Sequence, residues 1–280
     1  MERSIKRYWP LFVVPTMAAF LIAFIIPFVM GVVLSFCDFP LITNVTFVGI
    51  DNYIKAFSDK IFGHAFIFTV LFAIVSMLII NVCAFALALA LTRKLAGTNI
   101  FRTVFFMPNL IGGIVLGYIW QIIFNGILAQ YQTALNLDAT FGFWGLVILV
   151  AWQQIGYMMI IYIAGLQALP DDMLEAASID GASKWTRLKD IIMPMMAPSF
   201  TICMFLSIAN GFKLFDQNLA LTAGDPGRMT EMLALNIYNT FYGRVGWEGV
   251  GQSKAVIFFV VVVGISLIQL YFMRKREVQA

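Results

Sequence analysis

Six mostly apolar runs, each about 20 residues or longer, divide the chain at roughly 11–36, 66–92, 104–124, 143–168, 197–215 and 255–273. About 20 apolar residues carry an α-helix across the hydrocarbon core of a bilayer. The pattern predicts an all-α integral membrane protein with six transmembrane helices in a single membrane domain over residues 1–280. The first run follows Arg3, Lys6 and Arg7, so a signal peptide is the competing reading. Its length is about twice that of a signal h-region, and Pro27 and Phe36 stand where small residues would mark cleavage. A retained first helix is predicted.

The polar segments between the runs set the orientation. With the N-terminus in the cytoplasm, the inner segments hold Arg3, Lys6, Arg7, Arg93, Lys94, Arg102, Lys184, Arg187, Lys189, Arg274, Lys275 and Arg276, which is twelve of the eighteen basic residues. Excess Lys and Arg mark cytoplasmic loops, so both termini and the 169–196 loop are expected inside. Two long outer loops, 37–65 and 216–254, carry "FVGIDNYIKAFSD" and "LTAGDPGRMTEMLALNIYNTFYGRVGWEGVGQS". Their glycines, aspartates and aromatic residues predict turns and a partly ordered surface.

Composition agrees with a membrane chain. Hydrophobic residues make up 61% and charged residues 12%, about half the charged share of a soluble domain. The dispersed +3 balance leaves no basic patch for nucleic acid. Cys37, Cys83 and Cys203 lie far apart, without metal-ligand or C-x-x-C spacing, and read as small apolar packing residues. The single histidine, His64, precedes a membrane run and reads as an interfacial residue. No phosphate loop, nucleophile elbow or zinc-binding histidine pair occurs. The chain is expected to bind no cofactor and no metal and not to be an enzyme, so energy for uphill work must enter from elsewhere.

The inner loop reads as two short helices with a joint. Pro170 suits a first helical position, and Asp171, Asp172 and Glu175 put negative charge near a helix N-terminus. Gly181 permits a sharp turn, and Ser183 can cap the helix that presents Trp185, Leu188, Ile191 and Ile192 at helical spacing. An amphipathic connector on the membrane surface would show the same physics. The residues themselves, "EAASIDGASKWTRLKDIIMP", resemble the EAA signature of ABC importer permeases: Glu175-Ala176-Ala177, Gly181 after three residues, Ile191 after nine more, and Pro194. Met193 replaces the usual leucine, a volume-conserving departure. Further likeness in "FVGIDNY", "FRTVFFMPN", "AGLQALPDDMLEAA" and "LTAGDPGRMTEML" extends over nearly the whole chain. The sequence is similar to carbohydrate ABC importer permeases, the binding-protein-dependent inner-membrane components, and among them to the first-permease kind of the maltose and glycerol-3-phosphate systems.

The resemblance implies the type I importer fold and a cytoplasmic coupling helix that docks in a separate ATPase. Glu175, Ala176, Ala177, Asp180, Gly181, Ala182 and Pro194 would form that socket. ATP and Mg would be bound by the ATPase. The implied partners are a second, non-identical permease, two ATPase subunits, an extracytoplasmic sugar-binding protein on the outer loops, and the sugar, all at a bacterial inner membrane. Counted without gaps against the maltose permease, Trp152, Tyr157 and Ser207 match sugar contacts in kind and position. Asn210, Gly211, Gln153 and Gln154 fall on contact positions with other residue types, and Asn109 aligns with another contact. Trp152 and Tyr157 also suit packing or an interface belt. Lys213 and Asp216 are expected to pair near the outer boundary. Gly112, Gly113 and Gly117 are expected to allow close helix packing or a break beside the cavity.

Two other readings stay open from the residues. A same-fold permease for glycerol 3-phosphate would call for positive charge in the cavity, and the third and fourth spans hold no Lys or Arg. A stand-alone secondary transporter would need a buried carboxylate to couple to ions, and no Asp or Glu occurs within the six spans.

Overall fold

Prolines and glycines decide where the helices of this chain bend and stop. In the computed structural model, residues 2–39, 45–92 and 97–274 are described. The first helix runs as α1 (Glu2–Phe20), a π-helical turn (Leu21–Ile25) and α2 (Ile26–Leu34). Pro27 stands at the start of α2. Because its nitrogen carries no proton, the preceding turn widens instead of closing an ordinary helical bond. The strands β1 (Cys37–Asp38) and β2 (Thr46–Phe47) then pair antiparallel, with Cys37 opposite Phe47. The short helix α3 (Asp51–Ser58) follows.

The second long helix, α4 (Lys60–Leu91), starts about six residues before the apolar run at 66. Its 32 residues reach about 48 Å, well beyond the hydrocarbon thickness. The third run is not one helix, which corrects the continuous 104–124 span. It divides into α5 (Thr98–Phe106), a 3₁₀ turn (Met107–Leu110) and α6 (Gly113–Leu128). Pro108 cannot continue the α-helical ladder, and Ile111 and Gly112 are extended, with ψ of 134° and 140°. The fourth run folds as expected into one helix, α7 (Ala139–Gln167), whose N-terminus is capped by Asp138 accepting from the Thr140 amide at 2.7 Å.

The 169–196 loop contains α8 (Asp171–Ile179), α9 (Lys184–Arg187), a second π-helical turn (Leu188–Ile192) and α10 (Met193–Met195). Again the π turn lies just ahead of a proline, Pro194. The fifth run becomes α11 (Ala197–Phe212), shorter than the predicted 197–215, and Lys184–Met195 meets it at a 69° bend. The chain closes with α12 (Asp216–Leu221), α13 (Leu233–Gly243) and α14 (Glu248–Arg274). Among the described residues, five helices are long and apolar enough to cross a membrane, six when the bent pair is taken as one span.

Two compact units share these elements, residues 1–60 with 237–260 and residues 61–236 with 261–280. In the first, Asn52 is buried and its amide donates to the Ser35 and Cys37 carbonyls at 3.1 and 2.8 Å, which fixes the turn after α2. Lys254, seven residues into α14, is fully buried; its Nζ lies 2.8 Å from Oδ2 of Asp59 and 2.8 Å from the Thr240 hydroxyl. Arg244 reaches the same Asp59 oxygen at 3.3 Å. In the second unit the core forms between α4, α7 and α11, around Phe72, Ile80, Leu146, Leu149, Met158, Tyr162 and Cys203.

Residues 216–243 are more ordered than turns alone would give. Asn218 is completely buried, donates to the Thr230 carbonyl at 2.8 Å and accepts from the Met232 amide at 3.0 Å. Buried Glu231 accepts from Arg228 at 2.7 Å and from Asn236 at 3.1 Å. These bonds hold residues 222–232 as a folded knot in place of a loose loop.

Candidate substrate path and coupling loop

Amide side chains meet where the third span is broken. On α7, Gln153 and Gln154 are each 7% exposed. Gln153 donates to the Ile111 carbonyl at 3.2 Å, an acceptor released because Ile111 lies outside any helix. Its own Oε1 accepts from Gln217 of α12 at 2.7 Å. Three elements are thereby tied by one run of amides. The α12 helix can lie against α6 because Gly113 and Gly117 have no Cβ; one at Gly113 would come within 2.8–2.9 Å of Asp216 and Gln217, and one at Gly117 would press on Ala220. Gln121 adds a bond to the Leu221 carbonyl at 3.0 Å. The glycines after Pro108 thus serve both expected ends, the break and the close packing.

Beside this seam lies a cavity of about 280 Å³, lined by Gln154, Asn210, Lys213, Asp216 and Gln217 together with Leu214 and Phe215. Asn210 donates to Gln154 across it at 3.4 Å. Lys213 and Asp216 are both exposed, and no ion pair joins them among the described residues, contrary to the expected pairing. α12 begins at Asp216 after a break, so the two do not share one continuous helical face.

Gln154 and Asn210 are brought to one cavity, with Gln153 one bond away. The other path candidates stand elsewhere. Trp152 is 43% exposed and packs edge-on against Trp120 at 5.5 Å. Tyr157 is half-buried against the core. Ser207 is 1% exposed, donates to the Cys203 carbonyl at 2.8 Å and accepts from Asn81 at 3.0 Å. Gly211 lets α11 approach α4, since a Cβ there would lie 3.1 Å from the Ala73 Cα. Asn109 sits half-buried in the 3₁₀ turn after Pro108.

In the inner loop, α8 ends on a Schellman motif. The Ala182 amide donates to the Ala177 carbonyl at 2.9 Å and the Gly181 amide to Ser178 at 3.2 Å. Gly181 has φ +82°, and nothing lies within 4 Å of where a Cβ would be. The glycine is therefore demanded by the backbone, not by crowding. Ser183 accepts from the Thr186 amide at 3.1 Å, the cap expected of it. Glu175, Ala176 and Asp180 are exposed, Ala177 and Ala182 half-buried, and Pro194 is exposed within α10. Pro170 is the N-cap of α8, one position before the first helical residue that was expected.

Residues 84–278 match the model of the binding-protein-dependent transport system inner membrane component. The chain belongs to that family. This inner membrane component is 44% identical over 280 residues to the probable starch degradation products transport system permease protein of Thermoanaerobacterium thermosulfurigenes, covering 97% of this chain and 95% of the relative. It is 31% identical over 240 residues to the sn-glycerol-3-phosphate transport system permease protein of Agrobacterium fabrum, with 82% of each chain covered. Its fold matches a chain in a crystal structure of a bacterial alginate ABC transporter in complex with an alginate pentasaccharide-bound periplasmic protein. The TM-score is 0.82 at 18% identity, over 98% of this chain and 97% of the other.

Two residues of the inner membrane component's polar interior escape a reading by runs and motifs. Asn81 joins α4, α7 and α11: its Oδ1 accepts from Tyr162 at 2.7 Å, and its Nδ2 donates to Ser207 at 3.0 Å and to the Met77 carbonyl at 2.8 Å. The available signal was its place as the one carboxamide inside the 66–92 apolar run, since polar groups at such depth face a partner. Gln217 had no such signal, because it lies among the polar residues of an outer loop.

Proposed function

We propose that this chain is a membrane-spanning permease subunit of an ATP-driven importer for uncharged sugars or oligosaccharides. It forms half of the translocation path and couples to a separate ATPase through α8 and the Gly181 joint. The observation that carries the substrate reading is the cavity lined by Gln154, Asn210 and Gln217. Carboxamides both donate and accept, as sugar hydroxyls require. One cation, Lys213, and one anion, Asp216, line the same cavity, so their formal charges cancel. A phosphorylated solute calls for net positive charge, and neither α6 nor α7 holds a Lys or Arg. That favours a neutral glycan over glycerol 3-phosphate, and the starch-products relative is consistent with it.

The remaining parts of the reading rest on the family. An N-in, C-in arrangement of six spans in a bacterial inner membrane puts α8 at the cytoplasmic face. The loops 37–65 and 216–254 would then face outward, where a sugar-loaded binding protein would dock. A second permease completes the path, and two ATPase subunits drive alternating access. ATP and Mg belong to those subunits, and this chain does no chemistry of its own.

Uptake in cells carrying the complete transporter tests the proposal. Labelled maltodextrins are expected to enter, and glycerol 3-phosphate is not. Gln154→Ala with Asn210→Ala should raise the apparent KM for glucan uptake roughly tenfold or more, the loss of about two hydrogen bonds. Uptake of glycerol 3-phosphate in preference to glucans, or a glucan profile unchanged by the double substitution, sinks the substrate reading.

A further inference from the structure

At the foot of α4 a groove of about 840 Å³ opens between that helix, α8 and α9. One wall is aliphatic, made by Leu89 of α4, Leu174 of α8, and Leu188 and Ile192 of the π turn. The remaining lining is Lys184, Trp185 and Arg187. Lys184, Leu188 and Ile192 recur four residues apart, so the groove grades along its length from cationic to aliphatic. Neither Lys184 nor Arg187 takes part in an ion pair among the described residues. Trp185 is 70% exposed, and an exposed indole between charged and apolar neighbours is typical of the headgroup level of a bilayer. Leu89 lies two residues from the end of an apolar spanning helix, which puts the aliphatic end of the groove at the edge of the hydrocarbon region.

We infer that this groove holds one anionic phospholipid, its phosphate between Lys184 and Arg187 and its acyl chains along Leu89, Leu174, Leu188 and Ile192. The charge and the grading select that occupant. Free phosphate would leave the aliphatic wall bare, and a zwitterionic lipid would bring its own ammonium group up against Lys184 and Arg187. Basic groups beside apolar helix surface at a membrane boundary bind acidic headgroups for the same reason. The site is separate from the glycan cavity and does not depend on what the transporter carries.

Native mass spectrometry of the purified full-length chain tests this. The protein is incubated with equimolar phosphatidylglycerol and phosphatidylcholine of matched acyl chains. Each basic residue near an acidic lipid contributes roughly fivefold, so the singly lipidated species should favour phosphatidylglycerol by roughly tenfold or more. Lys184→Gln with Arg187→Gln should bring the ratio close to parity; both residues are on the surface of the loop, and an unchanged melting temperature confirms folding. Lys55→Gln with Lys60→Gln should leave the ratio unchanged. Equal retention of the two lipids by the wild type, or a phosphatidylglycerol preference that survives the Lys184/Arg187 pair, overturns the proposal. If that pair instead releases a co-purifying ATPase while the lipid preference persists, the groove belongs to the protein partner and the lipid assignment is wrong.

Discussion

The hydroxyl of Tyr162 donates to Oδ1 of Asn81 at 2.7 Å, joining two helices 81 residues apart in sequence. With the Ser207 and Met77 bonds, every polar atom of the Asn81 amide has a partner inside the apolar core. Such a site gives α4, α7 and α11 a preferred register, because a shift along any of them would strand a carboxamide away from water.

Tyr162→Phe and Asn81→Ala should therefore each lower stability, and by less together than in sum. A coupling of about 1 kcal/mol is expected, the usual range for a hydrogen bond between membrane helices. Thermal unfolding of the four members of the double-mutant cycle in one detergent measures it. Strict additivity would mean that the bond contributes nothing.

Gly156 separates close packing from mere tolerance of glycine. A Cβ there would run into the carbonyl of Phe105, which is backbone and cannot rotate aside. Gly156→Ala should cost about 2–4 kcal/mol or prevent folding, in line with overpacked sites. Gly126→Ala, where the Cβ would meet nothing within 4 Å, should be neutral or slightly stabilising. Yield of monodisperse protein from size-exclusion chromatography distinguishes them, and equal behaviour of the two variants contradicts the close approach.

Asp59→Asn leaves fully buried Lys254 without its carboxylate, and should destabilise by about 3–5 kcal/mol. Asp59→Leu combined with Lys254→Met removes both charges and should recover most of that loss. Melting curves in detergent check both. A double variant as unstable as Asp59→Asn would show that Asp59 matters through its other ion pair, with Arg244, more than through Lys254.

At the joint after α8, the sequence predicts that Gly181 permits a sharp turn. Within this chain its φ of +82° and the open space around it make backbone conformation the reason for glycine. Gly181→Asn, which tolerates the left-handed region, should keep most ATPase co-purification, while Gly181→Val should lose it at a backbone cost of about 1–2 kcal/mol. Mass spectrometry of material purified through a tag on this chain gives the ratio of ATPase to permease. Retention of the ATPase by Gly181→Val would remove the joint from the coupling mechanism.

The helical, membrane character of the chain and the backbone chemistry of the 169–196 loop were legible because both are local. Apolar runs, Pro108 with its following glycines, Gly181 and Ser183 act on neighbouring backbone, and each does in the structure what its residue type dictates. What was hidden depends on distance. Gln217 reaches Gln153 across 64 residues, and no spacing rule connects them. Lys254 reads as a loop residue just before the 255–273 run. In fact α14 already begins at Glu248, and the buried Asp59 supplies what the lysine needs. Trp152 and Gln153 are adjacent in sequence, yet helical rotation points one outward and the other into the amide run.

The break at Ile111 and Gly112 separates the order of the chain from the order of its rigid bodies. Residues 98–110 are bonded in sequence to α6 but are packed on α7, with Phe105 seated at Gly156. Between the two stands a non-helical link of two residues, bonded to α7 through the Ile111 carbonyl. The closest hold on α5 is the backbone contact with α7, whereas α6 is held chiefly by α12. In mechanical terms, the opening stretch of the third span is a passenger of the fourth.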